Sequence, residues 1–435
     1  MPVACLNPCV NPSCFSTLLV GQFMKKNNLI SMLPLFLVLF IDGMGLGLLF
    51  PILNTIIIEP SSGFLPINTD ANLRSFYYGL TIGIFMICWF FGAAILGDLS
   101  DKVGRKKSLM ICLIGAFLGY LLSAIAITIN SFWTLILGRM IAGFTAGSQP
   151  IAQAAIVDVS LEEHKPRNIG FILLSVSLGF VFGPIFGGLL SDASLISWFG
   201  LSVPMYFAAI ISLFNAIILA ISFKETFIRK QTSLTIKWHH AINIFISAFK
   251  HPSITGYSVV LLVMIFGWSN YFSFIPLYML QLFEYTARDN SFFLALLGLG
   301  FSLGCGYIVG ICTKRFQFNN IVLVGLTITA SQVLIFILSS EQWVAWVTTF
   351  IIGISLSVAY SVLLTIFSNQ VNKNEQGWVM GVTGSIMALC FGLTSMFTGL
   401  IANAGAMLPM LLAFGGLSLS ALILFFIQFK YPRQR

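Results

Sequence analysis

Charge is what this sequence has least of. Asp, Glu, Lys and Arg make up 8% of its 435 residues, against 58% hydrophobic, where a soluble domain carries roughly 25% charged residues. A chain so poor in charge cannot cover itself with a water-facing surface, so its solvent is mostly lipid. Strict alternation of apolar and polar residues is missing too, which excludes a membrane β-barrel. None of the eight cysteines forms a CxxC pair or a metal-ligand spacing with histidine, which removes zinc and dithiol chemistry. Cys88, Cys112, Cys305, Cys312 and Cys390 fall in or beside apolar runs and read as small packing residues. There is no H-E-x-x-H and no complete P-loop. Neither an enzyme nor an ATP-driven pump is therefore expected, and no cofactor or metal.

What fills the sequence instead is a series of long apolar runs. A helix that crosses a bilayer needs ~20 apolar residues. Twelve such stretches fit, at 29–58, 77–97, 108–129, 132–157, 168–190, 203–223, 254–282, 291–312, 320–339, 342–368, 378–402 and 407–428. The expected fold class is an all-α integral membrane protein with twelve transmembrane helices in two six-helix halves. The halves are 29–223 and 254–428, separated by a linker at 224–253 and followed by a tail at 429–435. Residues 1–28 read as a disordered N-terminal tail, with Cys5, Cys9 and Cys14 among prolines, or as a start placed too early with Met24 opening the protein. They lack the charged start and long apolar core of a secretory signal.

The net charge of +8 forms no stripe that would suit nucleic acid. Of the 22 Lys and Arg residues, all but Arg74, Arg139 and Arg288 fall on one side of the twelve-span layout. The positive-inside rule makes that side cytoplasmic and puts both termini there. The linker holds Lys224, Arg229, Lys230, Lys237 and Lys250 with His239, His240 and His251, and reads as a solvated connection rather than a metal site. Within it, KWHHAINIFISAFK has the pattern of an amphipathic helix lying on the inner surface. A two-halves design suggests an internal repeat, but GDLSDKVGRKK after span 2 and GICTKRFQFNN after span 8 share little beyond a glycine and a basic pair.

Four motifs carry the functional reading. Gly97-Asp98-Leu99-Ser100-Asp101-Lys102-Val103-Gly104-Arg105-Lys106-Lys107 combines a glycine for a tight turn, a carboxylate near helix N-termini and an arginine that grips carboxylates bidentately. It resembles the signature loop between the second and third helices of the major facilitator superfamily. Span 4 reads LILGRMIAGFTAGSQPIAQAAIVDVS. It resembles that superfamily's fourth helix, with buried Arg139, Gly143 and Gly147, and an Asp158 that the resemblance pairs with Arg105. Span 5 carries Gly179, Gly183, Pro184, Gly187 and Gly188, a pattern similar to that of the proton-antiporting drug exporters. Its glycines at i, i+4 and i+8 let a neighbouring helix approach closely, and Pro184 bends the helix. Ile41-Asp42-Gly43-Met44-Gly45-Leu46-Gly47-Leu48-Leu49-Phe50-Pro51 in span 1 resembles the first helix of tetracycline-type exporters. The resemblance covers spans 1 to 5; the second half matches in hydropathy and layout alone.

Of fourteen acids, only Asp42 sits well inside a span. A charge at mid-membrane costs ~2.5–3.5 kcal/mol even on insertion scales, which marks it as a functional candidate. Asp42 lies about thirteen residues, ~20 Å, from the basic side, and Arg139 about seven residues, ~10 Å, from the other; in a ~30 Å core both are at one depth. The reading is a buried Asp42–Arg139 coupling that loads and releases a proton, set against a static pair that only holds helices together. One charge crossing 100 mV releases ~2.3 kcal/mol, enough for a roughly fifty-fold gradient of a neutral substrate. Asn54, Gln149, Gln153, Trp268, Asn270, Tyr271, Tyr278, Gln281 and Tyr360 are the candidates for the substrate cavity. The resemblance implies proton-coupled efflux of amphipathic small molecules by alternating access. It also implies a monomer in the bacterial inner (plasma) membrane, with protons, the bilayer and a small-molecule substrate as partners, no nucleic acid, and the proton gradient in place of a cofactor. An importer of a nutrient or siderophore in the same fold, and a transport-silent sensor or assembly partner, are the alternatives.

Overall fold

The computed structural model describes residues 12–160, 165–225, 239–372, 375–402, 405 and 407–430, all of them helix or short connection, with no strand among them. Span 1 is the helix Pro12–Leu53 continued by a π-helical turn, Asn54–Ile58. Span 2 is Ala71–Val103, span 3 Arg105–Thr128, span 5 Lys165–Ser191 and span 6 Val203–Ser222. Span 7 is Thr255–Phe283, span 8 Ala287–Arg315, span 9 Phe318–Leu338, span 10 Gln342–Asn369, span 11 Gln376–Ile401 and span 12 Met407–Lys430. Eleven of the described helices are long and apolar enough to cross a membrane. The twelfth span, span 4, is broken into Phe132–Thr145 and Ser148–Val159.

The break has a local cause. Pro150 has no N–H to offer the carbonyl of Ala146, four residues earlier, which weakens the helix at that turn. Gly147 fills the break, and it lies so close to the backbone of Gly92 and Ala93 in span 2 that a side chain there would collide. The continuous helix expected over 132–157 is thereby corrected. At the chain's start, span 1 is helical back to Pro12, although 12–28 was expected as part of a disordered tail; residues 1–11 lie outside the described ones, as do Arg229, Lys230 and Lys237.

The two halves meet at the end opposite the basic loops. Gly79 and Gly83 of span 2 lie against Ser395, Gly399 and Gly392 of span 11, with no space for a Cβ on either helix. Tyr78 donates its hydroxyl hydrogen to the Ser273 carbonyl of span 7 at 2.7 Å, and Phe50 packs edge-on against Phe272 at 4.8 Å. Gly188 of span 5 lies on Ser291 of span 8, and Arg288 reaches across to Asp192 at 3.3 Å. At the basic end the same helices diverge: Gly97, Gly170, Gly306, Gly310, Gly377, Gly381 and Gly384 face open space. The cavity between the halves opens to the basic side and is sealed at the other.

The linker contributes a helix, His239–Ala248. The expectation that it lies flat on the surface is corrected. Ala241 and Ala248 are buried, Ala241 packs with Phe90 of span 2 and Ala388 of span 11, and Phe245 packs on Phe90 at 6.5 Å. Nearer the surface, Trp378 donates its indole N–H to Ser247 at 3.2 Å. Ala388 lies ten positions beyond Trp378, so the helix is wedged ~15 Å deep between the diverging ends of spans 2 and 11.

Candidate functional site

Span 5 positions span 1. Gly179, Gly183 and Gly187 lie directly on the backbone of span 1 around Phe40, Met44 and Leu48, while Gly43 and Gly47 return the contact against Gly179 and Pro184. Two helices meeting without intervening side chains approach more closely than ordinary packing allows, and this seam fixes Asp42. The carboxylate is half-buried. Its Oδ2 accepts a 2.6 Å hydrogen bond from Ser148, the first residue after the break in span 4. The break matters here, because it brings Ser148 to the acid and leaves Gln149 and Gln153 half-buried without a described contact to it.

Arg139 is 2% exposed, and its Cζ lies 4.2 Å above the Phe85 ring. Its Nε and Nη1 have no hydrogen-bond partner. No ion pair between Asp42 and Arg139 is present among the described residues, so the direct coupling expected from their depths is not formed in this state. Tyr120, whose hydroxyl packs on Gly45 beside Asp42, is within electrostatic reach of both charges. The cation–π contact offsets only part of the cost of burying an unpaired guanidinium, which leaves Arg139 able to receive an anion or a dipole.

In the signature loop, Arg105 is the centre. Its Nη1 lies 2.7 Å from Asp101 and donates to Ser100 at 2.9 Å, and its Nε meets Asp158 at 3.3 Å. Asp98 pairs with Lys102 at 2.7 Å. Gly104 has φ +108°, a conformation that side chains rarely adopt. Every one of these contacts stays within the first half.

The second-half candidates divide. Asn270 and Tyr271 are fully buried and satisfied between helices: Asn270 accepts from Thr398 at 2.7 Å and donates to the Phe266 carbonyl at 2.8 Å, and Tyr271 shares a 2.7 Å bond with Thr349. Tyr278 is buried against Phe336 at 5.2 Å, and Gln281 is exposed at the sealed end. Trp268 and Tyr360 are half-buried; Tyr360 donates to the Met387 sulfur at 3.5 Å, and Trp268 stacks on Tyr271. Asn54, in the π turn of span 1, is 2% exposed, and neither end of its amide has a partner. Sequence reasoning missed Ser148, Phe85, Tyr120 and the Asp192–Arg288 pair, because each acts through a contact distant in sequence.

Two six-span halves around a cavity open to one side are the build of a carrier that alternates its access. The chain belongs to the Major Facilitator Superfamily, whose match runs over residues 35–395. The tetracycline resistance protein, class C, of Escherichia coli is 25% identical over 366 residues, which cover 84% of this chain and 87% of that protein. Multidrug resistance protein 1 of Bacillus subtilis is 25% identical over 84% of this chain and 88% of its own length. Among solved structures, a D-xylose–proton symporter superposes with a TM-score of 0.73 at 14% identity, covering 91% of this chain and 97% of that one. The fold is thus shared by carriers of different cargo.

Proposed function

We propose that this protein is a proton-coupled exporter of amphipathic small molecules, a carrier rather than an enzyme, with the proton gradient as its only energy source. It works as a monomer in the bacterial inner membrane. The basic side is the cytoplasm, both termini lie there, and the conformation described is inward-open. The observation that carries the reading is Asp42, an acid set deep in span 1, half-buried and hydrogen-bonded to Ser148. Its near full-length likeness to tetracycline and multidrug resistance proteins supports cargo of that kind.

The chemistry follows from the geometry. A proton on Asp42 removes the one negative charge set deep within a span, and the Ser148 hydrogen bond occupies Oδ2 in either protonation state, leaving Oδ1 to take or give the proton. Arg139, buried in span 4 with no counter-ion among the described residues, is the charge that would make the ionised and neutral forms of Asp42 unequal in their preference for the two conformations. A ligand or proton shifts such an equilibrium only by its differential affinity for the two states.

The test is proton counterflow in proteoliposomes, measured against a panel of amphipathic cations and tetracycline-like compounds. Substrate-dependent proton movement opposite to substrate is expected. Movement in the same direction would mark an importer, and none would mark a transport-silent protein. Asp42→Asn keeps shape and the Ser148 contact but cannot carry a proton. It should abolish uphill transport and spare downhill exchange; accumulation equal to the parent's would make Asp42 structural.

A further inference from the structure

Span 11 carries one side of small residues along its length, with Gly377, Gly381, Gly384 and Ala388 toward the basic end and Gly392 and Gly399 toward the other. Steps of three, four and seven residues keep all of them on one helical face. The outer part of that face is closed on span 2, where Gly392 and Gly399 lie against Gly83 and Gly79. The inner part is open: a Cβ at Gly377, Gly381 or Gly384 would meet nothing. At Ala388, where the packed part gives way to the open part, stands the linker helix His239–Ala248. A helix with its side chains is about 10–12 Å across, so it keeps apart two faces that elsewhere meet backbone to backbone.

The helix touches both halves, in different ways. On the second half it is fastened by a directional contact, the Trp378 indole N–H donating to Ser247 at 3.2 Å, with the His251 ring 5.3 Å from Trp378 just beyond the helix. On the first half it only packs: Ala241 is buried beside Phe90, and Phe245 meets the same ring edge-on at 6.5 Å. Its other side carries Ile242 and Ile246, both exposed. Apolar residues turned outward at membrane depth face lipid, so the helix fills a slot in the side of the carrier. We infer that the linker helix is a strut: by occupying the slot between spans 2 and 11 it holds the inner side open, and it must withdraw from span 2 before the small face of span 11 can close there. The inference rests on the alternating-access reading.

The experiment places spin labels at Gly170 in span 5 and Phe316 just past span 8, both exposed at the mouth of the cavity in opposite halves, and measures their distance distribution in the full-length protein in lipid nanodiscs. Phe245→Ala removes the ring that bears on Phe90. It should lower the ratio of inward-open to outward-open molecules about tenfold, because a half-buried ring contact is lost in one state only. Ile246→Ala, on the lipid side of the same helix, should keep the parent ratio. A parent ratio in Phe245→Ala, with or without a lowered melting temperature, or an equal fall in Ile246→Ala, would overturn the inference. Should Phe245→Ala not reach the membrane, Ser247→Ala decides in its place. It removes the acceptor that fastens the helix to Trp378, and a fall of about fivefold is expected, with the parent ratio again overturning the inference. Withdrawal is read by hydrogen exchange in Gly79→Ala, which crowds the outer seal: as the mouth distance shortens, the amides of 241–248 should exchange about tenfold faster, and a shortened mouth with unchanged exchange would show that the helix need not leave. A parent protein that never populates a second distance would instead sink the alternating-access reading itself.

Discussion

The outer seal yields a prediction with a sign. Gly79 of span 2 lies on Ser395 and Gly399 of span 11 with no room for a Cβ. In the inward-open state Gly79→Ala forces two helices apart, and overpacking of this kind costs roughly 1–3 kcal/mol. In the outward-open state these faces separate and the methyl group meets nothing. The gain in helix propensity from Gly to Ala, ~1 kcal/mol, is equal in both states and cancels. The net effect shifts the equilibrium toward the outward-open state by about 5- to 150-fold, at tenfold per 1.4 kcal/mol. Labels at Ile67 and Trp343, both exposed at the outer end, report it as a longer distance in the Gly79→Ala protein. Gly384→Ala is the control: its Cβ meets nothing in this state, so the inward-open form pays no cost and no outward shift is expected. An unchanged distribution in Gly79→Ala, or an outward shift of equal size in Gly384→Ala, would refute the reasoning.

Asp192 gives a pH prediction. The Ser194 hydroxyl and backbone N–H, with Arg288 opposite, hold its carboxyl below the usual carboxylate range. A lowered value means that the pair with Arg288 is intact above the ordinary carboxylate value and is lost only as pH falls through the lowered one. The outer label distance should therefore be insensitive to external pH from roughly 5 to 8 at this pair, while Asp192→Asn loosens the outer end at every pH. Topology is checked with reporter fusions: those at Lys230 and Arg435 should read cytoplasmic and one at Asn68 periplasmic, and an outside signal at Lys230 would remove the six-plus-six arrangement.

Legibility in the sequence follows the range of each interaction. Helix existence was legible because lipid demands ~20 apolar residues in a row, a local signal. The break in span 4 was half legible: Pro150 was visible, but that Gly147 would be pressed on Gly92 of span 2 was not. That single irregularity sets Ser148 against Asp42, a contact that no spacing in the sequence announced. The depths of Asp42 and Arg139 came from rise per residue, which fixes height but not azimuth, so the missing ion pair was out of reach. Asn270 looked like a cavity residue because an amide in mid-span needs a partner. It has one, but the partner is Thr398 in a neighbouring helix. The linker pattern gave an amphipathic helix and no information on what its apolar face would cover; the opening between spans 2 and 11 supplied the answer.

A carrier that alternates must keep its two states close in free energy, and this state shows what holds the balance. The outer seal is favourable, with glycine seams, Tyr78 on Ser273 and Phe50 on Phe272. Among the described buried polar groups without partners, two stand against it: the amide of Asn54 at the outer gate and the guanidinium nitrogens Nε and Nη1 of Arg139. Each unsatisfied buried group costs ~1–3 kcal/mol, more when charged. Asn54 lies in the π turn of span 1 beside the outer gate, so opening that gate hydrates it. On the proposed mechanism, Arg139 would be relieved differently, by a counter-charge or dipole entering the cavity. The two debts thus favour leaving the inward-open state by separate routes, one answering to water at the outer mouth and the other to the charge on Asp42. On the proposed mechanism only the second depends on a proton, because Asp42 is the group that would carry it.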